Sequence, residues 1–186
     1  MWSSKDIASI VVLSVLGLVS TALIVQTAGL ISGIRGANYI FTIILAIQTS
    51  LSLLVYEGRR WRFFAQNSLF TVLIIPTYLS GPPFSVQSKI HFFIMGFVAD
   101  LILNSLYSTF KKKEGLKLWS ILGSLLFWVM LPFLSLLIRP LFYSPEAVAL
   151  FANVVYLLLP VIIAEAIAGG YLGYRIFLKV RKDQLK

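Results

Sequence analysis

Two carboxylates stand inside apolar stretches of the chain: Asp100 in IMGFVADLILNSLY and Glu165 in LPVIIAEAIAGGYLGYR. An acid near the centre of a bilayer costs roughly 3 kcal/mol, and each strongly apolar residue offsets only about 0.3–0.6. Neither acid is therefore a casual occupant. Gly96 and Asn104 flank Asp100 at four-residue spacing, and Gly169 and Gly173 follow Glu165 by four and eight. At helical period each acid shares a stripe with small or polar neighbours, so that stripe must face protein or a wet cavity. Two roles stay open for both: hydrogen bonds between helices (for Glu165 also pairing near Arg175), or contact with a ligand or coupled step. An intramembrane enzyme built on the pair requires the two carboxylates to converge.

A second set is cationic. Arg35, Lys89 with His91 beside it, and Arg139 fall in connections otherwise poor in basic residues, and together they suit an anionic group. The competing assignment pairs Arg139 with Glu146 and gives the others to lipid headgroups. Polar residues of the second stretch (Asn38, Thr42, Gln48, Thr49, Ser52) and third stretch (Asn67, Thr71, Tyr78) suit interhelical hydrogen bonds.

Catalytic constellations do not assemble. His91 has no serine in a Gly-rich turn to serve, and Asp100 is the only aspartate within the apolar stretches. Cysteine is absent and there is one histidine, which leaves no thiol nucleophile, thiolate site or conventional zinc site. The expectation is a protein with no catalytic activity and no cofactor.

The elements that must position these residues are membrane helices. Of 186 residues 59% are hydrophobic and 12% charged, outside the range of an ordinary soluble domain. Six spans are expected in one all-α membrane domain covering residues 1–186: Ile7–Ile24, Asn38–Tyr56, Phe63–Leu79, Ile90–Tyr107, Leu116–Ile138 and Ala149–Phe177. No convincing cleavage site follows the first, so it is kept as a helix rather than a signal peptide. The last begins with Ser144-Pro145-Glu146, a side-chain cap, a proline at the first turn and an acid at the positive helix end. It is long, and Pro160 is expected to kink it without ending it.

Thirteen of the sixteen Lys and Arg fall at the two termini and in the second and fourth connections. The net charge of +9 is therefore a topology signal rather than a nucleic-acid surface. Both termini are expected in the cytoplasm, with the chain a multi-pass protein of the cell membrane. The three remaining connections, Gly29–Asn38, Leu79–His91 and Arg139–Glu146, are built from Gly, Pro, Ser and aromatics, suited to folding over a cavity as lids.

With its size, six spans, Gly/Pro-bearing outer connections, the fourth-helix stretch GFVADLILNSLY and above all the tail AEAIAGGYLGYRIFLKV, the chain resembles the substrate-binding (S) components of energy-coupling factor (ECF) vitamin transporters. The resemblance covers the whole chain. It implies capture of a small vitamin-like molecule from outside and delivery through a transmembrane coupling subunit and two ATPase subunits. It points to a pocket from Arg35, Gln87, Lys89, His91, Arg139, Asn153 and Tyr156, with Asp100 and Glu165 deeper, and Phe84 and Tyr143 as stacking or cover. Such proteins often carry an Ala-x-x-x-Ala pattern on the first helix for docking the coupling subunit. This chain departs from it, offering Ser4/Ala8 and Gly17/Thr21, so that Ala8, Gly17 and Thr21 become the docking candidates. Metal-specific members need an amino-terminal Met–His arrangement, and Trp2 stands in that place. From a different class, the rod-shape-determining six-helix membrane proteins share the span count, and resemblance to them implies a scaffold with no ligand pocket.

Overall fold

Ser3 and Asp6 open the first helix as a reciprocal capping box. The Ser3 hydroxyl accepts from the Asp6 N–H, and the Asp6 carboxylate accepts from the Ser3 N–H. Helix α1 (Ser4–Ser20) continues into a π-helical turn, Thr21–Gln26. It is followed by α2 (Thr42–Tyr56), α3 (Arg62–Ile74), α4 (Ile90–Lys112), α5 (Leu116–Ile138), a 3₁₀ turn at Arg139–Leu141 and α6 (Pro145–Asp183). This computed structural model describes residues 2–27, 30, 41–112 and 115–183, and among them there is no β-strand.

Among the described residues four helices are long and apolar enough to cross a membrane: α1 with its π turn, α4, α5 and α6. The chain is thus an all-helical protein with the makings of a membrane-embedded one. Helix α2, at 15 residues, is a shorter apolar helix, and α3 has 13. At 1.5 Å per residue they span about 22 and 20 Å, short of a hydrocarbon core of about 30 Å. The expected third span to Leu79 ends early, at Ile74, where Pro76 lacks the N–H that would continue the helical ladder. Helix α6 is 39 residues long and runs through Pro160, about 58 Å in all.

Helix α2 is central, packing on α1, α3, α5 and α6. It runs parallel to α6, and a glycine seam brings the two backbones together. A Cβ on Gly169 would lie 2.5 Å from the Ala46 Cβ and 2.8 Å from the Ile43 carbonyl oxygen, and one on Gly173 would meet Ser50. Only glycine permits that approach. Hydroxyls lock the layers. The Ser50 and Ser120 hydroxyls lie within hydrogen-bond reach of each other and of the Gly170 carbonyl, so one donates to the carbonyl and the other to its partner hydroxyl or to the same carbonyl, while the Trp128 indole N–H donates to Thr49 at 3.1 Å. Apolar residues of all six helices, including Ile10, Leu53, Phe63, Leu103, Trp119 and Ile162, fill the remaining core.

Contacts between neighbouring connections define one basic end of the bundle. Asp6 pairs with Arg59 and Arg62 at 2.5 and 3.2 Å. Gly58 abuts Tyr107, Tyr107 packs against Trp119, and Lys117 lies over Tyr171. The start of α1, the α2–α3 turn, the α4–α5 junction and the last turns of α6 are therefore together. The α3–α4 and α5–α6 connections lie at the far end.

Candidate functional site

The two acids of the apolar helices have the same local task. Helix α3 starts at Trp61, which has φ 71° and no side chain able to cap. Asp100 of α4 supplies the cap from outside: its Oδ1 accepts from the Trp61 N–H and its Oδ2 from the Phe64 N–H, both at 2.9 Å. Those are the two N–H groups that a capping box satisfies locally. Asn104 adds a third bond to Oδ1 at 2.5 Å, and the carboxylate is 1% exposed. Helix α2 likewise starts after an aromatic, Phe41, with no side-chain cap. Glu165 of α6 accepts from the Ile43 N–H at 3.2 Å and engages Thr42 beside it. Each acid also complements the positive end of the helix it caps.

These positions lie at opposite ends of α2, separated by about 20 Å of helix. The convergence that a paired-carboxylate enzyme requires is absent. Asp100 and Glu165 are tertiary caps for the two short helices, whose uncapped N–H groups would otherwise be orphaned away from water.

At the far end, Lys89 is fully buried, and its Nζ donates to the carbonyls of Ile75, Thr77 and Pro82 at 3.0, 3.0 and 2.7 Å. An ammonium has three N–H donors, and here all three hold the α3–α4 connection. Burial lowers its pKa from the usual lysine value. Ser80 and Phe84 in the same connection have positive φ, 63° and 60°, which non-glycine residues adopt only when surroundings enforce it. The loop so held presents Tyr78 and Phe84, 73% and 74% exposed. Gln87 is exposed and accepts from Ser85, and His91 is buried against Phe92 on the first turn of α4.

Arg139 closes the far end of α5. Its Nε donates to the Ser135 hydroxyl at 3.2 Å, and its guanidinium lies 3.8 Å from the centre of the Phe151 ring and 5.2 Å from that of Tyr143. Among the described residues the salt bridges are those of Asp6, so aromatic faces rather than Glu146 hold this cation. Asn153 and Tyr156 are exposed on α6, with Tyr156 edge-on to Phe133. Arg35 lies outside the described residues.

Of the docking candidates, Ala8 is exposed, together with Val11, Val12, Val15 and Val19 of α1. Gly17 is buried: a Cβ there would come 2.9 Å from the Gln48 amide nitrogen and 3.3 Å from Phe70, so it seats α1 on α2 and α3. Thr21 is half-buried and donates to the Gly17 carbonyl.

Asp6 was not singled out in the sequence, although Ser3-x-x-Asp6 before an apolar run is a capping-box signal. Its second function, pinning Arg59 and Arg62 of the α2–α3 turn, has no local signature. No known protein family matches the chain, and no curated protein or solved structure matches it.

Proposed function

We propose that this protein is the membrane-embedded capture subunit of an ECF-type importer, binding a small vitamin-like molecule at its far end. In this reading the far end faces outside, the basic end and both termini are cytoplasmic, and the six helices are six passes through the cell membrane, of which α2 and α3 are by themselves shorter than its hydrocarbon core. The molecule is handed to a coupling subunit driven by two ATPase subunits. The observation that carries the reading is the α3–α4 connection. A tether between two helices needs no buried lysine holding three carbonyls, whereas a preshaped lid does. Lys89 then shapes the lid, and Phe84 and Tyr78 supply aromatic cover. Arg139 is the cation offered to an anionic group, with Arg35, Gln87, His91, Asn153, Tyr156 and Tyr143 as further pocket candidates. The coupling subunit docks on the exposed face of α1 that carries Ala8.

Native mass spectrometry of the protein gently extracted from its host membranes tests this. The expected result is a defined small-molecule mass that is lost on Arg139→Ala, with ATPase subunits recovered in pull-downs of the intact protein. A ligand-free mass, no binding across a vitamin panel and recovery of cell-envelope synthesis proteins instead would transfer the assignment to a membrane scaffold.

A further inference from the structure

At the basic end, the start of α5 and the last turns of α6 enclose an open groove of about 620 Å³. Lys117, Tyr171, Tyr174, Arg175 and Lys179 line it. Tyr171 organises two of the cations. The Lys117 Nζ lies 5.0 Å from the centre of its ring and the Arg175 guanidinium 5.8 Å, while Arg175 Nη1 donates to its hydroxyl at 2.9 Å. With its acceptor side engaged by Arg175, the hydroxyl has its own hydrogen to donate into the groove. Among the described residues no salt bridge engages Lys117, Arg175 or Lys179. Two cations within about 6 Å of one ring, unneutralised, repel each other, and an anion between them relieves that.

The surroundings specify the anion's carrier. Leu172 and Ile176 beside the groove are exposed apolar residues of a helix apolar enough to cross a membrane, and Arg175 and Lys179 are the first cations along that helix. Tyrosines with Lys and Arg at the edge of an apolar span are the pairing found at the headgroup level. A basic groove between two helices at that level fits a lipid phosphate with its acyl chains lying along the apolar face.

We propose that this groove is a binding site for the phosphate headgroup of an anionic membrane lipid. Lys117 and Arg175 are the charge partners, and the Tyr171 hydroxyl is a neutral donor. The site is at the opposite end of the bundle from the capture pocket and does not depend on it.

The test is native mass spectrometry of the full-length protein, delipidated in neutral detergent and titrated with phosphatidylglycerol or phosphatidylcholine. The wild type retains phosphatidylglycerol at least about tenfold better. At about one kilocalorie per mole for each surface cation, the double variant Lys117→Ala/Arg175→Ala loses roughly 30-fold of that affinity with phosphatidylcholine unchanged. Tyr171→Phe, which keeps the ring, loses a few-fold. Because these positions are at the surface, unchanged thermal unfolding of the variants accompanies the loss. Equal retention of the two lipids, or a double variant within threefold of wild type, overturns the proposal. Displacement of the lipid by millimolar inorganic phosphate overturns the lipid as the source. Loss of ATPase-subunit recovery from the double variant with lipid retention intact reassigns the groove to a protein partner.

Discussion

Asp100 and Glu165 cap the two short helices from the middle of two long ones, but they do so with different completeness. Asp100 is buried and accepts three hydrogen bonds at 2.9, 2.9 and 2.5 Å, two of them from the N–H groups that open α3. Glu165 is half-buried, and its bond to Ile43 is longer, at 3.2 Å. The same residue chemistry thus yields one acid consumed by the fold and one with exposed surface beside the far end. The difference lies in the donors each acid meets. Asp100 serves the N–H groups of Trp61 and Phe64 from within the core, whereas Glu165 is engaged by Thr42 and Ile43, the first two residues of α2, nearer the edge of the bundle.

The largest effect should come from removing the complete cap. Asp100→Ala leaves the Trp61 and Phe64 N–H groups without partners in a buried setting. The cost is about 3 kcal/mol, a fall in Tm of roughly 6–12 °C for a chain of this size. Asp100→Asn keeps one acceptor oxygen and should lose about half as much. Thermal unfolding in detergent measures both, and a Tm within about 1 °C of wild type for the alanine variant would break the assignment of Asp100 as a structural cap.

Much of this geometry was readable in one dimension. The four-residue spacing of Gly96, Asp100 and Asn104 placed them on one stripe facing protein, and Glu165, Gly169 and Gly173 likewise share the face that meets α2. The α5 boundaries coincide with the expected Leu116–Ile138. What a sequence pattern cannot carry is the partner. Spacing within α4 says that Asp100 faces something, and only the tertiary arrangement makes that something the first turn of α3. Lys89 illustrates the same limit. Its charge suggested an anion, yet its three donors go to carbonyls of its own connection, a closure decided by loop geometry. Gly17 was read as a surface notch for a partner helix, and it is instead the notch in which α1 meets Gln48 and Phe70.

The second prediction tests whether the α2 cap depends on the glycine seam. Gly169→Leu places a side chain where the Ala46 Cβ and the Ile43 carbonyl already stand. Relief requires α2 to move away from α6, which lengthens the Glu165 bond to Ile43. Overpacking of this kind costs about 2 kcal/mol. The double variant Gly169→Leu/Glu165→Ala should then be less destabilised than the sum of the singles, because the first change has already weakened the bond that the second removes. Strict additivity in the same unfolding assay would separate the seam from the cap.

The smallest stability effect, and the sharpest discriminator, belongs to Glu165→Gln. The amide oxygen can still accept from Ile43, and only the charge facing the α2 terminus is lost, so the expected cost is about 0.5 kcal/mol or a Tm shift of roughly 1–2 °C. Stability therefore barely registers the change, and ligand retention becomes readable on its own. If the co-purifying small molecule disappears at this near-constant Tm, Glu165 has a contact beyond its cap, and the two acids divide into one that builds the bundle and one that also works in the pocket. If the molecule is retained while Arg139→Ala loses it, both acids are structural and recognition belongs to the far-end residues. Asp100→Asn serves as the internal standard: its larger Tm loss should come without selective loss of ligand in the fraction that stays folded, since its carboxylate is already bonded to α3 and Asn104.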